Sequence, residues 1–477
     1  MNFRRLAAFF SIASAVALFG CTVGPNYVRP PADAPVSYKE LGDWKPVAPS
    51  DQFSKGNWWE VYEDPQLNAL EEQVDASNPS LKVAQERFQQ ARDAIRISKS
   101  GYYPTITGGA SASRNHVSSN SPLFKVGSSK ADYSDFAIPI DASWEPDLWG
   151  RVRRTVESSR SEAQATAADL ANVSLTLHAE LAMDYCQLRG LDAQRELLDS
   201  TVVAYEKALA LTQNRYKAGL ASAVDVAQAE TQLRTTRAQA IDVGVNRAAF
   251  EHAIAVLIGT APAQFSLPDS PLRATPPLTP PGLPSDLLER RPDIAASERR
   301  MQESNAQIGI AKSAYYPLVT LSGQGGFESG VFTTLIQGPS GLWSVGAAAT
   351  ETIFDAGKRR AVTEQAQSAY RESIDTYRQT VLSAFQEVED NLAALRILND
   401  EETVQQSAVS SAEHSLALSI TRYKGGIVNY LEVITAQNAA LADEVTEVSI
   451  RTRRMQASVL LVKAIGGGWN ISQIPRV

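Results

Sequence analysis

The sequence Lys99-Ser100-Gly101-Tyr102-Tyr103-Pro104 recurs 213 residues later as Lys312-Ser313-Ala314-Tyr315-Tyr316-Pro317. A second motif, Arg215-Tyr216-Lys217-Ala218-Gly219, recurs 207 residues later as Arg422-Tyr423-Lys424-Gly425-Gly426. Two motifs that recur in the same order indicate two tandem copies of one structural unit. Because the offset changes between the motifs, the segments 105–149 and 318–356 must differ by a loop of unequal length.

The repeats divide the chain into six parts. We predict a signal peptide at 1–20, an N-terminal extended segment at 21–64, repeat 1 at 65–261, a Pro-rich connector at 262–284, repeat 2 at 285–468 and a C-terminal tail at 469–477. The connector contains eight prolines and the N-terminal segment six. Proline favours extended backbone over helix or sheet, so both segments are predicted to lie along the surface.

Two segments in each repeat alternate apolar residues with small or polar ones. We predict membrane strands at 101–114 and 133–146 in repeat 1, and at 315–329 and 341–354 in repeat 2. In the second of these segments Phe136, Ile138, Ile140, Ala142 and Trp144 occupy alternate positions. A period of two over about ten residues, with aromatic residues at the ends, is typical of strands between lipid and water. An ordinary half-buried sheet of a soluble domain remains the alternative.

Four strands are too few to enclose a pore, since small barrels need about eight. An open sheet would also expose unpaired backbone groups to lipid, which a bilayer does not tolerate. If these strands span a membrane, several chains must therefore share one barrel.

Long helical segments follow the strands, at 151–259 and 358–466, and we expect three helical stretches in each copy. Apolar residues with heptad spacing predict supercoiled helix packing in repeat 2. These residues are Val381, Phe385, Val388, Leu392 and Leu395, and then Leu431, Ile434, Leu441, Val445 and Val448 around the polar Asn438. In repeat 1 the residues at the positions of the second stripe are smaller or more polar, so we expect smaller or more hydrated packing partners there. These residues are Val224, Ala227, Thr231, Arg234, Ala238 and Ile241.

Each repeat also contains the signature of a tight helical hairpin. Gly219 and Gly426 each follow a predicted helix, as helix-ending glycines do. Ser222 and Asn429 then precede new helices, with an acidic residue three positions later in each case. Leu220 at one turn, and Ile427 and Tyr430 at the other, place apolar side chains where water would be expected. Either local packing of the turn or docking of another coiled coil would account for them.

The N-terminus predicts export and acylation. Arg4 and Arg5 precede an apolar run that ends in Leu18-Phe19-Gly20-Cys21, which resembles the cleavage site of a bacterial lipoprotein signal peptide. We expect Cys21 to become the lipidated N-terminus, with a plain secretory signal as the alternative. Thr22 follows in place of the aspartate that retains such lipoproteins in the inner membrane, so we expect an outer-membrane protein facing the periplasm.

Composition argues against several other functions. The net charge of −8 argues against a nucleic-acid partner. Cys186 has no partner for an internal disulfide once Cys21 carries lipid, and we expect it to be a buried helix residue. The histidines are scattered, and we expect all four to face solvent in helices or loops, at His116, His178, His252 and His414. No nucleophile, phosphate-binding or zinc-protease motif occurs, so we predict no enzyme, cofactor or metal site.

Several of these motifs together resemble the TolC-like outer-membrane efflux proteins, specifically their lipidated, OprM-like branch. They are Cys21-Thr22-Val23-Gly24-Pro25-Asn26-Tyr27, the two Tyr-Tyr-Pro strand starts, the two Arg-Tyr-Lys-x-Gly turns and Ala464-Ile465-Gly466-Gly467-Gly468-Trp469. The resemblance implies a mixed α and β, mainly α, fold in a homotrimer. Three chains would form a twelve-stranded outer-membrane β-barrel continued by a long periplasmic α-helical barrel. This channel would export drugs and other small toxic compounds passively, together with a periplasmic adaptor protein and an inner-membrane efflux pump.

The resemblance also implies functional residues. The hairpin ends would close the periplasmic mouth, with Ser415, Ser419 and Arg422 lining the aperture. The adaptor would dock at the tips, on Gly219, Leu220, Gly426 and Ile427. Family members often carry an acidic residue about one turn before the arginine, where this chain has Ser419, so a weaker acidic ring is expected. The alternatives are a periplasm-facing coiled-coil adaptor or structural lipoprotein, and an exported lipoprotein enzyme.

Overall fold

The computed structural model describes residues 22–30, 35–41, 57–118, 132–277 and 284–477. The predicted signal peptide and the predicted acylation site at Cys21 lie outside the described residues. Within the described ranges no helix is both long and apolar enough to cross a membrane.

The two repeats follow the same order of helices and strands, except that repeat 1 has two short strands where repeat 2 has one. Repeat 1 contains α1 (Pro65–Ser77), α2 (Pro79–Ser100), β1 (Thr105–Gly108), β2 (Ser111–His116), β3 (Asp132–Trp144), α3 (Arg151–Lys217) and α4 (Ala223–Leu257). Repeat 2 contains α5 (Leu287–Arg290), α6 (Pro292–Ser313), β4 (Leu318–Ser329), β5 (Gly341–Thr350), α7 (Lys358–Lys424) and α8 (Tyr430–Ala464). Corresponding long helices have equal lengths, since α3 and α7 have 67 residues each and α4 and α8 have 35 each.

Two helices, not three, follow the strands of each repeat, so the expectation of three helical stretches was wrong. Neither α3 nor α7 contains proline, and each runs unbroken for about 100 Å at about 1.5 Å per residue. Gly190 lies within α3 but does not break it. A Cβ atom at Gly190 would come within 2.3 Å of Oγ1 of Thr452 in α8, so this glycine permits two long helices to approach closely.

The strands form one antiparallel sheet in which β3 and β4 are central. β1 and β2 both pair with β3, and β5 pairs with β4. The first predicted strand is divided in two because Pro139 of β3 has no N–H to donate to it. The register is the same on both sides of this break. The Gly109 N–H still donates to the Pro139 carbonyl at 3.0 Å.

The register places most large apolar side chains of the strands on one face, as the alternation predicts, although Pro139, Leu318 and Leu342 lie on the other. Ile140 is opposite Gly325 and Trp343, whereas Asp141 is opposite Gln324 and Ser344. We call the two sides the apolar face and the polar face. The apolar face includes Ile106, Phe136, Ile138, Ile140, Ala142, Trp144, Leu321, Phe327, Trp343, Val345 and Ala347. The polar face includes Thr107, Asp141, Ser143, Thr320, Ser322, Gln324, Glu328 and Ser344.

The apolar face is exposed, which argues against the half-buried sheet of a soluble domain. Val345 is 77% exposed, and Ile106, Ile140 and Trp343 are exposed as well. A soluble sheet would cover these side chains with other elements of its core. The outer edges of the sheet, at β1 and β2 on one side and at β5 on the other, pair with no other described strand.

The helices pack side by side below the sheet. α3 contacts α2, α4, α6 and α8, and α7 contacts α6 and α8. The stripe predicted on α7 is confirmed, since Val381, Phe385, Val388 and Leu392 are buried.

The stripe predicted on α8 was wrong near the start of the helix. The buried residues there are Tyr430, Val433, Gln437 and Ala440, whereas Leu431 is exposed. The buried face of α8 is therefore rotated about the helix axis relative to the predicted one. The cause is local, because Tyr430 packs edge to face on Tyr423 of α7. In α4 the whole matching stripe from Val224 to Ile241 is exposed, and the helix instead buries Ala229, Leu233, Thr236, Ala240 and Val243.

The described part of the N-terminal segment lies along the helices. The Val23 N–H donates to the carbonyl of Trp149 at 3.1 Å, just below the sheet. Further from the sheet, Tyr27 Oη donates to Glu298 at 2.9 Å, and Glu40 pairs with Arg396 at 2.8 Å. Gly24 has a φ of +99°, and a Cβ atom there would lie 2.5 Å from Cα of Gly309. The segment therefore fits against the helices only because both residues are glycine.

His178 is buried, so the expectation that it faces solvent was wrong. Its Nδ1 lies 2.7 Å from Glu71 Oε2, and its Nε2 lies 3.1 Å from Asp75 Oδ1. The imidazole also stacks on Trp59, with the ring centroids 4.3 Å apart. This cluster connects α1 to α3. His116, His252 and His414 are exposed as expected, and Cys186 is buried in α3 as expected.

The cluster makes stability depend on pH. Burial raises the pKa of the Glu71 carboxyl to about 7, although the bond from His178 opposes this shift. Burial disfavours the charged form of His178, but the hydrogen bond and charge of Glu71 and the charge of Asp75 outweigh it and raise the His178 pKa above 6.5. Both shifts mean that the folded chain binds more protons than the unfolded chain at neutral pH. The contribution of each group to folding stability is therefore fully present below its unfolded pKa, and it is lost as the pH rises through its folded pKa.

We predict that Glu71→Gln raises the melting temperature relative to wild type more at pH 8 than at pH 5. The amide resembles the protonated carboxyl, so the penalty for burying an ionised group disappears. Thermal unfolding at both pH values measures the difference. The matched control is Glu72→Gln, which changes an exposed neighbour on the same helix. A difference from wild type that is the same at both pH values would contradict the role of Glu71.

Candidate functional site

The two helical hairpins end beside each other at the end of the molecule furthest from the sheet. We call these ends tip 1, residues 215–225, and tip 2, residues 422–432. Arg215 of tip 1 donates from Nη1 to the carbonyl of Lys424 in tip 2 at 2.8 Å. Its guanidinium also lies 4.9 Å from the ring centroid of Tyr423. One arginine therefore joins the hairpins of the two repeats.

Both turns require the glycines that the sequence singles out. Gly219 and Gly426 have φ values of +72° and +74°, in the left-handed region that favours glycine. The next N–H groups then bond back into the preceding helix. Leu220 N–H donates to the Arg215 carbonyl at 2.8 Å, and Ile427 N–H donates to the Arg422 carbonyl at 3.0 Å. This pattern satisfies carbonyls that the helix ends would otherwise leave free.

The two tips begin their second helices differently. In tip 1 Ser222 and Asp225 form a complete capping box, with bonds of 3.0 and 3.1 Å. In tip 2 the Asn429 side chain makes no capping bond. The acidic residue of tip 2, Glu432, instead accepts a bond from Arg422 Nη1 at 2.6 Å. In tip 2 the acidic side chain therefore connects α7 to α8.

An aromatic cluster stabilises tip 2 from within. Tyr423 and Tyr430 are buried and meet edge to face, with ring centroids 5.2 Å apart. Val433 of α8 and Ala229 of α4 complete the cluster. Since Ala229 belongs to the other hairpin, the same apolar cluster packs tip 2 against repeat 1.

The three predicted aperture residues do not share one environment. Ser415 and Arg422 are exposed on α7. Ser419, one turn before Arg422, is only 7% exposed and is covered by its own chain. The structure therefore brings Ser415 and Arg422 to the surface but leaves the Ser419 hydroxyl inside the packed helices.

The predicted docking residues are strongly exposed. Leu220 is 67% exposed and Ile427 is 70% exposed, and Val224 and Leu431 beside them are exposed too. Side chains that packed locally within their turns would lose most of this surface. Local packing therefore accounts for Tyr430, which is buried on Tyr423, but not for Leu220 and Ile427.

Four residues of the tips carry contacts that the sequence motifs did not predict, namely Arg215, Tyr423, Tyr430 and Glu432. Arg215 and Arg422 occupy equivalent positions in the two repeats, so the motif itself marks them. It does not show that Arg215 reaches the other hairpin while Arg422 stays within its own. Tyr430 has Ala223 as its counterpart in repeat 1, and that asymmetry was the available signal.

We predict that Arg215→Gln speeds hydrogen exchange in residues 422–430, because it removes the charged contact between the tips. Hydrogen–deuterium exchange with peptide mass spectrometry measures this directly. The control is Arg234→Gln, since Arg234 is an exposed arginine of α4 that pairs with Glu230 of its own helix. Equal exchange of tip 2 in both variants would contradict the role of Arg215.

Comparison with known proteins agrees with this architecture. The family model described as outer membrane efflux protein matches residues 70–260 and 283–467. The toluene efflux pump outer membrane protein TtgF of Pseudomonas putida is 32% identical over 98% of each chain. The cation efflux system protein CusC of Escherichia coli O6:H1 is 28% identical over 95% of this chain and 97% of its own.

A solved structure of the outer-membrane channel OprN superposes with a TM-score of 0.87 at 29% identity. It covers 94% of this chain and all of its own. The matched family is one of transport proteins and not of enzymes. The family match extends over both repeats, and it includes the helices that carry tips 1 and 2. The chain therefore belongs to the outer membrane efflux protein family.

Proposed function

We propose that three copies of the chain form one outer-membrane channel, which exports small molecules such as drugs and toxic compounds passively. A periplasmic adaptor protein and an inner-membrane efflux pump complete the system. The observation that carries this proposal is the sheet, which combines an exposed apolar face with two edges that no other described strand pairs with.

The unpaired edges support assembly of several copies. An unpaired backbone N–H or C=O group in the hydrocarbon region costs several kcal/mol of free energy, roughly as much as burying an amide without a hydrogen-bond partner. Pairing β5 of one copy with β1 and β2 of the next satisfies these groups. β1 and β2 lie in one register along β3, so each chain supplies four strands across the sheet and three chains supply twelve.

The helices carry matching exposed stripes that support the same assembly. In α4 the exposed residues Val224, Thr231 and Ala238 are separated by seven positions. In α7 the exposed residues Ile397 and Val404 are also seven apart, and Leu418 follows after fourteen. Heptad spacing is the pattern by which one helix packs along another. A neighbouring copy that packs α4 against α7 would cover both stripes.

The polar face of the sheet is suited to line the pore. It presents Asp141, Gln324 and Ser344, whereas the opposite face presents Ile140 and Val345 to lipid. The names of two relatives mention different cargoes, toluene for TtgF and cations for CusC. We therefore assign the choice of cargo to the pump. The chain contains only four methionines, and the described residues form no metal-binding cluster, so the sequence gives no specific support for copper export.

Tip 2 would form the periplasmic aperture, with Ser415 and Arg422 facing the constriction and Ser419 behind them. The Arg422–Glu432 pair is half-exposed, and pairs of this kind contribute about 0–1 kcal/mol. A tip whose two helices are joined by such a pair would rearrange readily when a partner binds. Leu220 and Ile427, beside Gly219 and Gly426, would dock the adaptor, because they offer exposed apolar surface next to the aperture.

Lipidation of Cys21 fits the position of the residue that follows it. A Cβ atom at Gly150 would lie 3.0 Å from Cα of Thr22, so Thr22 packs where α3 begins just below the sheet. Thr22 thus lies at the level where the strands would leave the membrane on the periplasmic side. An acyl chain there would enter the inner leaflet.

We predict that Cys21→Ser abolishes acylation while the channel still reaches the membrane, because the apolar face of the sheet is independent of the anchor. Mass spectrometry of the purified mature chain measures the acyl groups. Wild-type chain with the mass of an unmodified Cys21 terminus would contradict lipidation but would leave the channel proposal intact.

The channel proposal predicts conductance in planar bilayers, with a closed state that depends on Arg422. Arg422→Ala and Arg422→Glu should raise the conductance and increase uptake of large antibiotics, because the ion pair to Glu432 is lost. The control is Arg378→Ala, since Arg378 lies on the same helix and pairs with Asp375 one turn away. Wild-type protein that is monomeric and silent in bilayers would overturn the channel, whereas unchanged conductance of both Arg422 variants would overturn only the gate.

A further inference from the structure

The loop between β4 and β5, residues 330–340, lies at the end of the sheet opposite to the helices, since α6 leads into β4 and β5 leads toward α7. We call it the outer loop. It exposes three large apolar side chains. Phe332 is 70% exposed, Ile336 is 73% exposed, and Val331 is exposed as well, whereas Leu335 is buried. The loop therefore buries one apolar residue and presents three.

Internal bonds give the outer loop a defined shape. Short 3-10 turns form at Phe332–Thr334 and Gly338–Ser340. The Ser329 and Thr334 hydroxyls are 2.8 Å apart, and Ser340 Oγ donates to the Thr334 carbonyl at 2.7 Å. The exposed apolar side chains are thus held outward by an ordered loop.

Phe332 shows which side of the sheet the loop covers. Its ring meets that of Phe136 edge to face, with centroids 5.6 Å apart. Phe136 alternates in register with Ile138 and Ile140 and so belongs to the apolar face. The loop therefore leans over the apolar face and away from the polar face that would line the pore.

The position of this contact argues against a second copy of the chain as the occupant. Phe136 belongs to β3, and it pairs with Ser329 at the end of β4. These are the two central strands of the sheet. Neighbouring copies would pair with the edges at β1, β2 and β5, so they would leave the Phe136–Phe332 contact uncovered.

The depth of the contact fits the outer boundary of a membrane. Phe136 is eight residues along β3 from Trp144, which lies at the helix side of the sheet. At about 3.3 Å per residue this is about 26 Å along the strand. A strand tilt of about 40° reduces the height to about 20 Å, compared with about 25 Å for the apolar band of such barrels. Phe136 would therefore lie near the outer end of the band, and Phe332 packs against it there.

We propose that the outer loop inserts Phe332 and Ile336, together with Val331, among the acyl chains of the outer leaflet. This inference rests on the proposed orientation of the sheet in the outer membrane. The loop then extends the lipid contact beyond the end of the strands and fixes the depth of the channel.

Site-directed spin labelling tests this directly. Phe332→Cys and Ile336→Cys, each labelled with a nitroxide, are reconstituted in vesicles of phosphatidylethanolamine and phosphatidylglycerol. Accessibility to oxygen, which concentrates among acyl chains, is compared with accessibility to a water-soluble nickel chelate. Val345→Cys on the apolar face and Ser344→Cys on the polar face are the controls. Wild-type protein, whose Cys186 is buried, gives the background.

We expect the oxygen-to-nickel ratio at positions 332 and 336 to match that at 345 and to exceed that at 344 severalfold. A lipid-like ratio at 345 with water-like ratios at 332 and 336 would overturn the loop proposal and leave the channel standing. A water-like ratio at 345 would overturn the orientation of the sheet and the loop proposal together.

Discussion

The unpaired edges of the sheet are the constraint on which the rest of the structure depends. Each chain places an apolar face on one side of four strand positions and a polar face on the other, so the sheet is suited to separate lipid from water. In lipid the backbone groups at β5 and at β1 and β2 have no water to bond. In the proposed assembly, strand pairing with other copies satisfies these groups and gives the polar face an enclosed space to line. One requirement of backbone chemistry thus connects the alternation of Ile140 and Asp141 to the shape of a channel.

The long helices carry this arrangement away from the membrane. α3 and α7 continue for 67 residues each without proline, and a glycine with left-handed backbone follows two residues after the end of each. The two repeats are similar in length but not in chemistry. In tip 1 a capping box of Ser222 and Asp225 bonds the free N–H groups at the start of α4, whereas in tip 2 Glu432 accepts a bond from Arg422. The two tips thus differ in how their polar side chains are used, although their turns have the same backbone form.

Patterns that are local in sequence predicted much of the fold. The alternation in 136–144, the glycines at 219 and 426 and the stripe from Val381 to Leu392 depend on neighbours within a few residues, and the structure agrees with each. The failures involve distant partners. His178 is buried by Glu71 and Asp75, which precede it by 107 and 103 residues. Likewise, Arg215 reaches Lys424 in the other repeat, which follows it by 209 residues. A single sequence shows periodicity within an element but not which element lies opposite it.

Native mass spectrometry of the mature protein, released from detergent micelles, tests the central claim most directly, because it counts the chains that form one barrel. A sheet that cannot close alone predicts a complex of three chains with no stable population of single chains. A single chain that remains folded and conducts ions by itself would contradict the claim, since its sheet edges would then need some other means of closure.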